Sequence, residues 1–189
     1  MSYLRETPFD EKDFPTLQLI KNDYGFIPNF FLSQTMRPDL IDAEVQLVDS
    51  ILIRESALTR RQKEYIFLVC SAANLSTYCV TAHCEIVRML KIEGPEPEQI
   101  ALDHTAADLP MVDRALLNFA LKLNNHPTKI GQADIDALRT YDFTDLQILE
   151  AVMCVGLAKF ANCVGFGLGT VPDFKTLQLD LSKSKATAV

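Results

Sequence analysis

One segment, Ser76-Thr77-Tyr78-Cys79-Val80-Thr81-Ala82-His83, carries the residue types and the spacing of a thiol-based site. Positions i, i+3 and i+7 of a helix share a face, so Ser76, Cys79 and His83 form one stripe. A cysteine reacts as its thiolate. A first-turn position near a helix N-terminus and an imidazole one turn on both favour that form, which predicts a lowered Cys79 pKa. Ser76 is placed to cap the helix, and its hydroxyl can also donate to the sulfur. A histidine acting as base needs a group that fixes its tautomer and supports its positive charge, and a carboxylate does both. Glu64, 12 positions before Ser76 on the preceding apolar helix, is the candidate. A blander reading puts Glu64 on an exposed first turn and makes Cys79 and His83 ordinary helix residues.

The elements that hold this stripe read as helices. Apolar residues recur every three to four positions almost throughout, and no run alternates long enough for a strand, so the fold class is all-α. Leu17, Ile20 and Tyr24 give a first helix from Phe14 to Tyr24 before Gly25, and Pro28 breaks the chain or opens the next helix. Pro38 suits the first turn of a helix reaching about Glu55, with Leu40, Val45, Leu47, Val48, Ile51 and Leu52 as its apolar positions and an acidic polar face. Thr59 with Gln62, and Thr144 with Gln147, are capping boxes that open two apolar helices. Between them, Ser76 to Glu93 reads as a helix ended by Gly94 and Pro95. Asp108 and Pro110 open another through Leu123, and Asp134 to Arg139 makes a shorter one. An offset of 85 residues superposes the two capping boxes, and Ala73 on Ala158, as a duplicated helical unit would. One domain is expected over residues 1–181, divided into N-terminal helices (12–57), the Cys79 helices (58–94) and a second half (108–170), followed by a mobile tail (182–189) that lacks apolar anchors.

Composition bounds the function classes. The 189 residues are 48% hydrophobic and 23% charged, enough for one continuous core. A formal charge of −7 without a basic block argues against nucleic acid or anionic lipid as partner. The N-terminus is acidic where an export signal needs a basic start and an apolar run, which points to the cytoplasm. Residues 151–171 are long enough to span a bilayer, but Lys159, Asn162 and several glycines make a buried helix the better reading. Five cysteines, odd in number and mostly in apolar runs, suit core thiols of a reducing compartment.

The pattern formed by Glu64, Ser76, Cys79 and His83 within TRRQKEYIFLVCSAANLSTYCVTAH resembles the AhpD-like, carboxymuconolactone decarboxylase superfamily. YGFIPNFFLSQTMRPDL resembles the opening of its uncharacterised peroxidase-related branch. GQADIDALRTYDFTDLQILEAV and GLGTVPD resemble that branch's second half. The resemblance implies an all-helical fold that assembles into trimers or hexamers, and a cysteine pair served by a glutamate–histidine relay; no cofactor is assigned. Carried over, Cys79 is the cysteine that attacks a hydroperoxide, His83 the relay histidine and Glu64 its carboxylate partner. Ser76 stands where the family has its first cysteine, and a serine forms no resolving disulfide. Cys84 points to another face of the same helix and Cys70 reads as a core thiol, so an external small thiol or redoxin is expected as reductant. Two other readings fit the same residues: lactone decarboxylation with His83 as acid/base group, and a helical oligomer with a degenerate site.

Other signals carry less. Gly165, Gly167 and Gly169 follow a helix rather than a strand and read as its exit, not as a phosphate loop. Cys79, His83 and Cys84 lack a second ligand cluster, so no metal is assigned. His104 and His126 read as surface histidines.

Overall fold

The computed structural model describes residues 2–4, 14–175 and 179–188. The acidic N-terminal stretch 5–13, and Val189 of the tail, lie outside the described residues. Within them the chain is all-α, with no strand. Its helices are α1 (Pro15–Tyr24), α2 (Asn29–Leu32), α3 (Pro38–Val48), α4 (Arg60–Ala73), α5 (Thr77–Met89), α6 (Pro97–Asp103), α7 (Met111–Asn125), α8 (Gln132–Arg139) and α9 (Asp145–Leu168).

Helix α4 is the axis of the fold. Every residue from Lys63 to Ala72 is buried, and the helix packs against α5, α6, α7 and α9. Its start is fixed twice over. Thr59 and Gln62 form the expected capping box, and Glu150 of α9 accepts the backbone N–H groups of Ala57 and Leu58 at 3.1 and 2.7 Å. Lys63, buried one residue inside that box, donates from Nζ to the Arg54 carbonyl and the Ser56 hydroxyl. The second capping box, Thr144 with Gln147, opens α9.

Several boundaries differ from the sequence reading. α5 ends at Met89, short of Gly94, because Lys91 enters the left-handed region at φ 52°. α3 ends at Val48 and continues as a π-turn, Asp49–Ile53. Its inward face is Ile41 and Glu44, while Leu40 and Leu47 are exposed. α9 runs on through Gly165 and Gly167 and exits only at Gly169, which is left-handed at φ 61°. α6 lies in a stretch the periodicity left unassigned. The tail expected to be mobile forms turns and touches the helices at Ser184 and Ala186. Two 3₁₀ turns bury Leu181 and Ala186, Ser184 Oγ donates to the Ala101 carbonyl at 2.8 Å, and Asn125 holds the Ala186 carbonyl at 3.0 Å. His104 is also a core residue rather than a surface one, with Nε2 on Asn118 Oδ1 at 2.7 Å.

α9 has the length and mean hydropathy (1.6) of a membrane span, yet its inner face is core, with Ala151, Cys154, Val155 and Ala158 buried against the other helices. Its outer face exposes Leu146, Leu149, Met153 and Phe160. A smaller cluster of Phe14, Leu17, Ile20, Ile27 and Ile41 joins α1 to α3, and a cavity lies where it meets the main core.

Candidate functional site

The turn between α4 and α5 sets the register of the site. Only Asn74, Leu75 and Ser76 separate the helices. Leu75 sits at φ 60°, and the Ser76 N–H donates to the Ser71 carbonyl at 2.8 Å. From that bond Glu64 lies seven residues back along α4 (71 to 64), and His83 seven residues forward along α5 (76 to 83). At 1.5 Å per residue both stand about 10 Å from the turn, so the antiparallel pair brings them level. His83 Nδ1 meets Glu64 Oε2 at 2.6 Å. The spacing that singled out these residues is thus the spacing that a tight helical hairpin requires.

Glu64 is fully buried, which rules out the exposed first-turn alternative. Burial alone would push its carboxyl up. His83 and Arg60 outweigh that and hold it below the ordinary carboxylate range, with Arg60 Nε on Oε1 at 2.6 Å. Arg60, one turn earlier on α4, went unnoticed in the sequence; its i,i+4 spacing from Glu64 was the available signal. Because Glu64 accepts from Nδ1–H, neutral His83 carries its free lone pair on Nε2. The ring lies on Phe67, with centroids 4.4 Å apart.

Cys79 is also buried, at 3% exposure, and here the sequence expectation fails in direction. Burial pushes the thiol above its ordinary value, and hydrogen bonds from Ser76, Asn162 and Ser71 offset this only in part. Ser76 holds the N-cap position of α5, but its side chain makes no capping bond and instead favours the Cys79 thiolate. Asn162 and Ser71 were missed. Asn162 Nδ2 donates to Ser71 Oγ at 3.0 Å, and Asn74 Nδ2 donates to Asn162 Oδ1 at 2.8 Å, so the polar bed under the sulfur is itself tied down. An isolated amide in the apolar α9 was the signal for Asn162.

Cys79, His83 and Arg60 line a cavity of about 150 Å³ whose other walls are mostly apolar. Phe30 and Phe31 come from α2, Val45 and Val48 from α3, and Leu157 and Ala161 from α9. One wall is pinned by Asp173, which accepts from the Asn29 N–H at 2.8 Å and from the Tyr78 hydroxyl at 2.7 Å. Glu44 of α3, a helix read from the sequence as having an acidic polar face, is buried and lines the cavity too.

The remaining thiols are poor partners for Cys79. All five cysteines are free; Cys70, Cys84 and Cys154 are buried and Cys163 is exposed. Burial pushes Cys84 and Cys154 up to about 12 and Cys70 higher still. Among the described residues no three of His, Cys, Asp and Glu converge as metal ligands.

No family model and no curated protein matches the sequence. Solved structures do. A peroxidase-related protein with an alkylhydroperoxidase AhpD core from Ralstonia eutropha is 28% identical, superposes with a TM-score of 0.84, and is matched over 91% of this chain and 92% of its own. The fold is that of the AhpD-like superfamily. A second peroxidase-related protein, from Silicibacter sp., gives the same TM-score at 23% identity, over 91% of this chain and 92% of its own. A debrominase, solved in complex with 2,3,4-tribromopyrrole, shares the fold at 21% identity and a TM-score of 0.74, over 92% and 94%.

Proposed function

We propose that this AhpD-like protein is a cysteine-dependent peroxidase in which Cys79 is the nucleophile, His83 its base, Glu64 the partner that orients and charges the base, and Ser76 a donor to the sulfur. The observation that carries this reading is the 2.6 Å bond between Glu64 and His83 Nδ1 in a cavity that Cys79 also lines. It leaves Nε2 as the proton acceptor.

Because burial keeps the thiol protonated at neutral pH, deprotonation and attack belong together. His83 Nε2 takes the thiol proton, and the sulfur attacks one oxygen of the hydroperoxide. The sulfur's electron pair forms the S–O bond to the terminal oxygen, the O–O bond breaks, and its bonding pair leaves with the alkoxide. That alkoxide takes the proton back from Nε2 and departs as the alcohol, leaving Cys79 as sulfenic acid. Ser71, Ser76 and Asn162 stabilise the transient thiolate, and Glu64 stabilises the imidazolium.

With serine at position 76, the sulfenic acid is resolved from outside. A small thiol or redoxin attacks Cys79 sulfur, releasing water and forming a mixed disulfide. A second thiol frees Cys79 and leaves as the oxidised disulfide. The exposed stripe of α9 supports a homo-oligomer, a trimer or hexamer, and the free buried thiols suit a cytoplasmic setting.

The test is turnover of a hydroperoxide with an excess of a small dithiol. The wild type should consume peroxide, Cys79→Ser should not, and His83→Ala should be slower by about 10²-fold or more. Lactone decarboxylation that survives in Cys79→Ser would replace this reading by the acid/base alternative. The debrominase likeness makes 2,3,4-tribromopyrrole a second compound for the same assay, with bromide release as readout.

A further inference from the structure

Glu44 is a buried carboxyl that the proposed peroxide chemistry does not use. It lies on α3, is 5% exposed and lines the cavity of Cys79 and His83. One oxygen is occupied: Gln34 Nε2 donates to Oε2 at 2.9 Å. The same Nε2 also donates to the Phe30 carbonyl at 3.1 Å, and a carbonyl only accepts, so the orientation of the Gln34 amide is fixed and both its hydrogens are spent. The other oxygen, Oε1, is buried without a partner.

A buried carboxyl with no cation of its own is held neutral. The charged and titratable groups sharing this cavity do not supply one. Arg60 and His83 are both engaged by Glu64, Asp173 is an acidic group that accepts from Tyr78 and the Asn29 N–H, and Cys79 is a thiol. Burial accordingly pushes the Glu44 carboxyl up to about 7. In the neutral acid the oxygen that accepts from Gln34 is the carbonyl, so the unpartnered Oε1 carries the hydrogen. It is a donor with no acceptor, in a cavity wall that is otherwise mostly hydrocarbon. An unmet buried donor is costly, and a small turn of the Glu44 side chain toward a ligand oxygen would recover that cost.

We propose that this cavity takes a small, benzene-sized apolar organic molecule bearing an acceptor oxygen, and that Glu44 is the specificity-determining residue that donates to that oxygen. The proposal rests on reading the cavity as the substrate site of Cys79, and it makes that substrate an organic compound rather than hydrogen peroxide. The size follows from the volume of about 150 Å³, which matches apolar cavities that hold benzene. The apolar part would lie against Phe30, Phe31, Val48 and Leu157.

The test uses a matched, unreactive pair: acetophenone, and α-methylstyrene, in which a methylene group replaces the carbonyl oxygen. Binding to the full-length protein is read by calorimetry or ligand-observed NMR, so no turnover is needed. At about pH 5–6, where the Glu44 carboxyl is protonated, wild type should bind acetophenone about five-fold more tightly than α-methylstyrene, the worth of one hydrogen bond. Glu44→Leu should bind both hydrocarbon frames alike, and Glu44→Gln, which keeps a donor, should retain the preference. Equal binding of the two by wild type, no binding of either, or a preference that survives in Glu44→Leu would overturn the proposal. A Glu44-dependent preference in a protein without peroxidase turnover would sink the peroxide chemistry and leave the binding site standing.

Discussion

Glu44→Gln should make the protein more stable above neutral pH, by an amount the site itself sets. In the folded chain burial pushes this carboxyl up to about 7 from an ordinary 4.5, with only the Gln34 amide opposing. The folded state therefore keeps a proton that the unfolded chain releases as the pH rises past 4.5. Stability contributed by the neutral acid is present at low pH, declines through that interval and is lost above about 7. At about 1.4 kcal/mol per pH unit the whole decline is about 3 kcal/mol. Glutamine has nearly the same shape, can accept from Gln34 through its carbonyl and does not titrate. Urea unfolding of both proteins at one fixed concentration, between about pH 5 and pH 8.5, should show the variant gaining about 2–3 kcal/mol on the wild type. A difference that does not change with pH would refute the reasoning, because Glu44 would then be ionised in the fold or solvated.

Other outcomes follow from the same contacts. Asn162→Leu and Ser71→Ala should each raise the Cys79 pKa further, because each removes a donor to the sulfur; the pH dependence of alkylation at Cys79 reads this. Glu64→Gln leaves Arg60 without its partner beside the core and should cost about 3–5 kcal/mol in urea unfolding. Thr144→Ala removes the cap of α9 and should cost about 1 kcal/mol, with the site's pH behaviour unchanged.

The parts of the site that the sequence disclosed are those fixed by local spacing. Seven residues on either side of one tight turn align Glu64 with His83, and Cys79 falls on the same stripe as His83, so the relay needs no knowledge of tertiary packing. Two capping boxes fixed the starts of α4 and α9 for the same reason. What stayed hidden depends on which face of a helix turns inward. In α3 the apolar residues surround the axis widely enough to offer two faces. Packing chose Ile41 and Glu44 over Leu40 and Leu47, which made a glutamate part of the cavity wall. Asn162 reaches the sulfur from a helix distant in sequence, and no local pattern reports that contact. The direction of the Cys79 shift was misjudged because spacing shows the helix start and the imidazole but not the burial that outweighs them.

The most direct measurement of the central claim is a single-turnover reaction of reduced protein with one equivalent of cumene hydroperoxide, the sulfenic acid being trapped with dimedone and located by peptide mass spectrometry. The label is expected on Cys79 in wild type, with a rate lower by about 10²-fold or more in His83→Ala. An unlabelled Cys79, or equal rates in the two proteins, would contradict it.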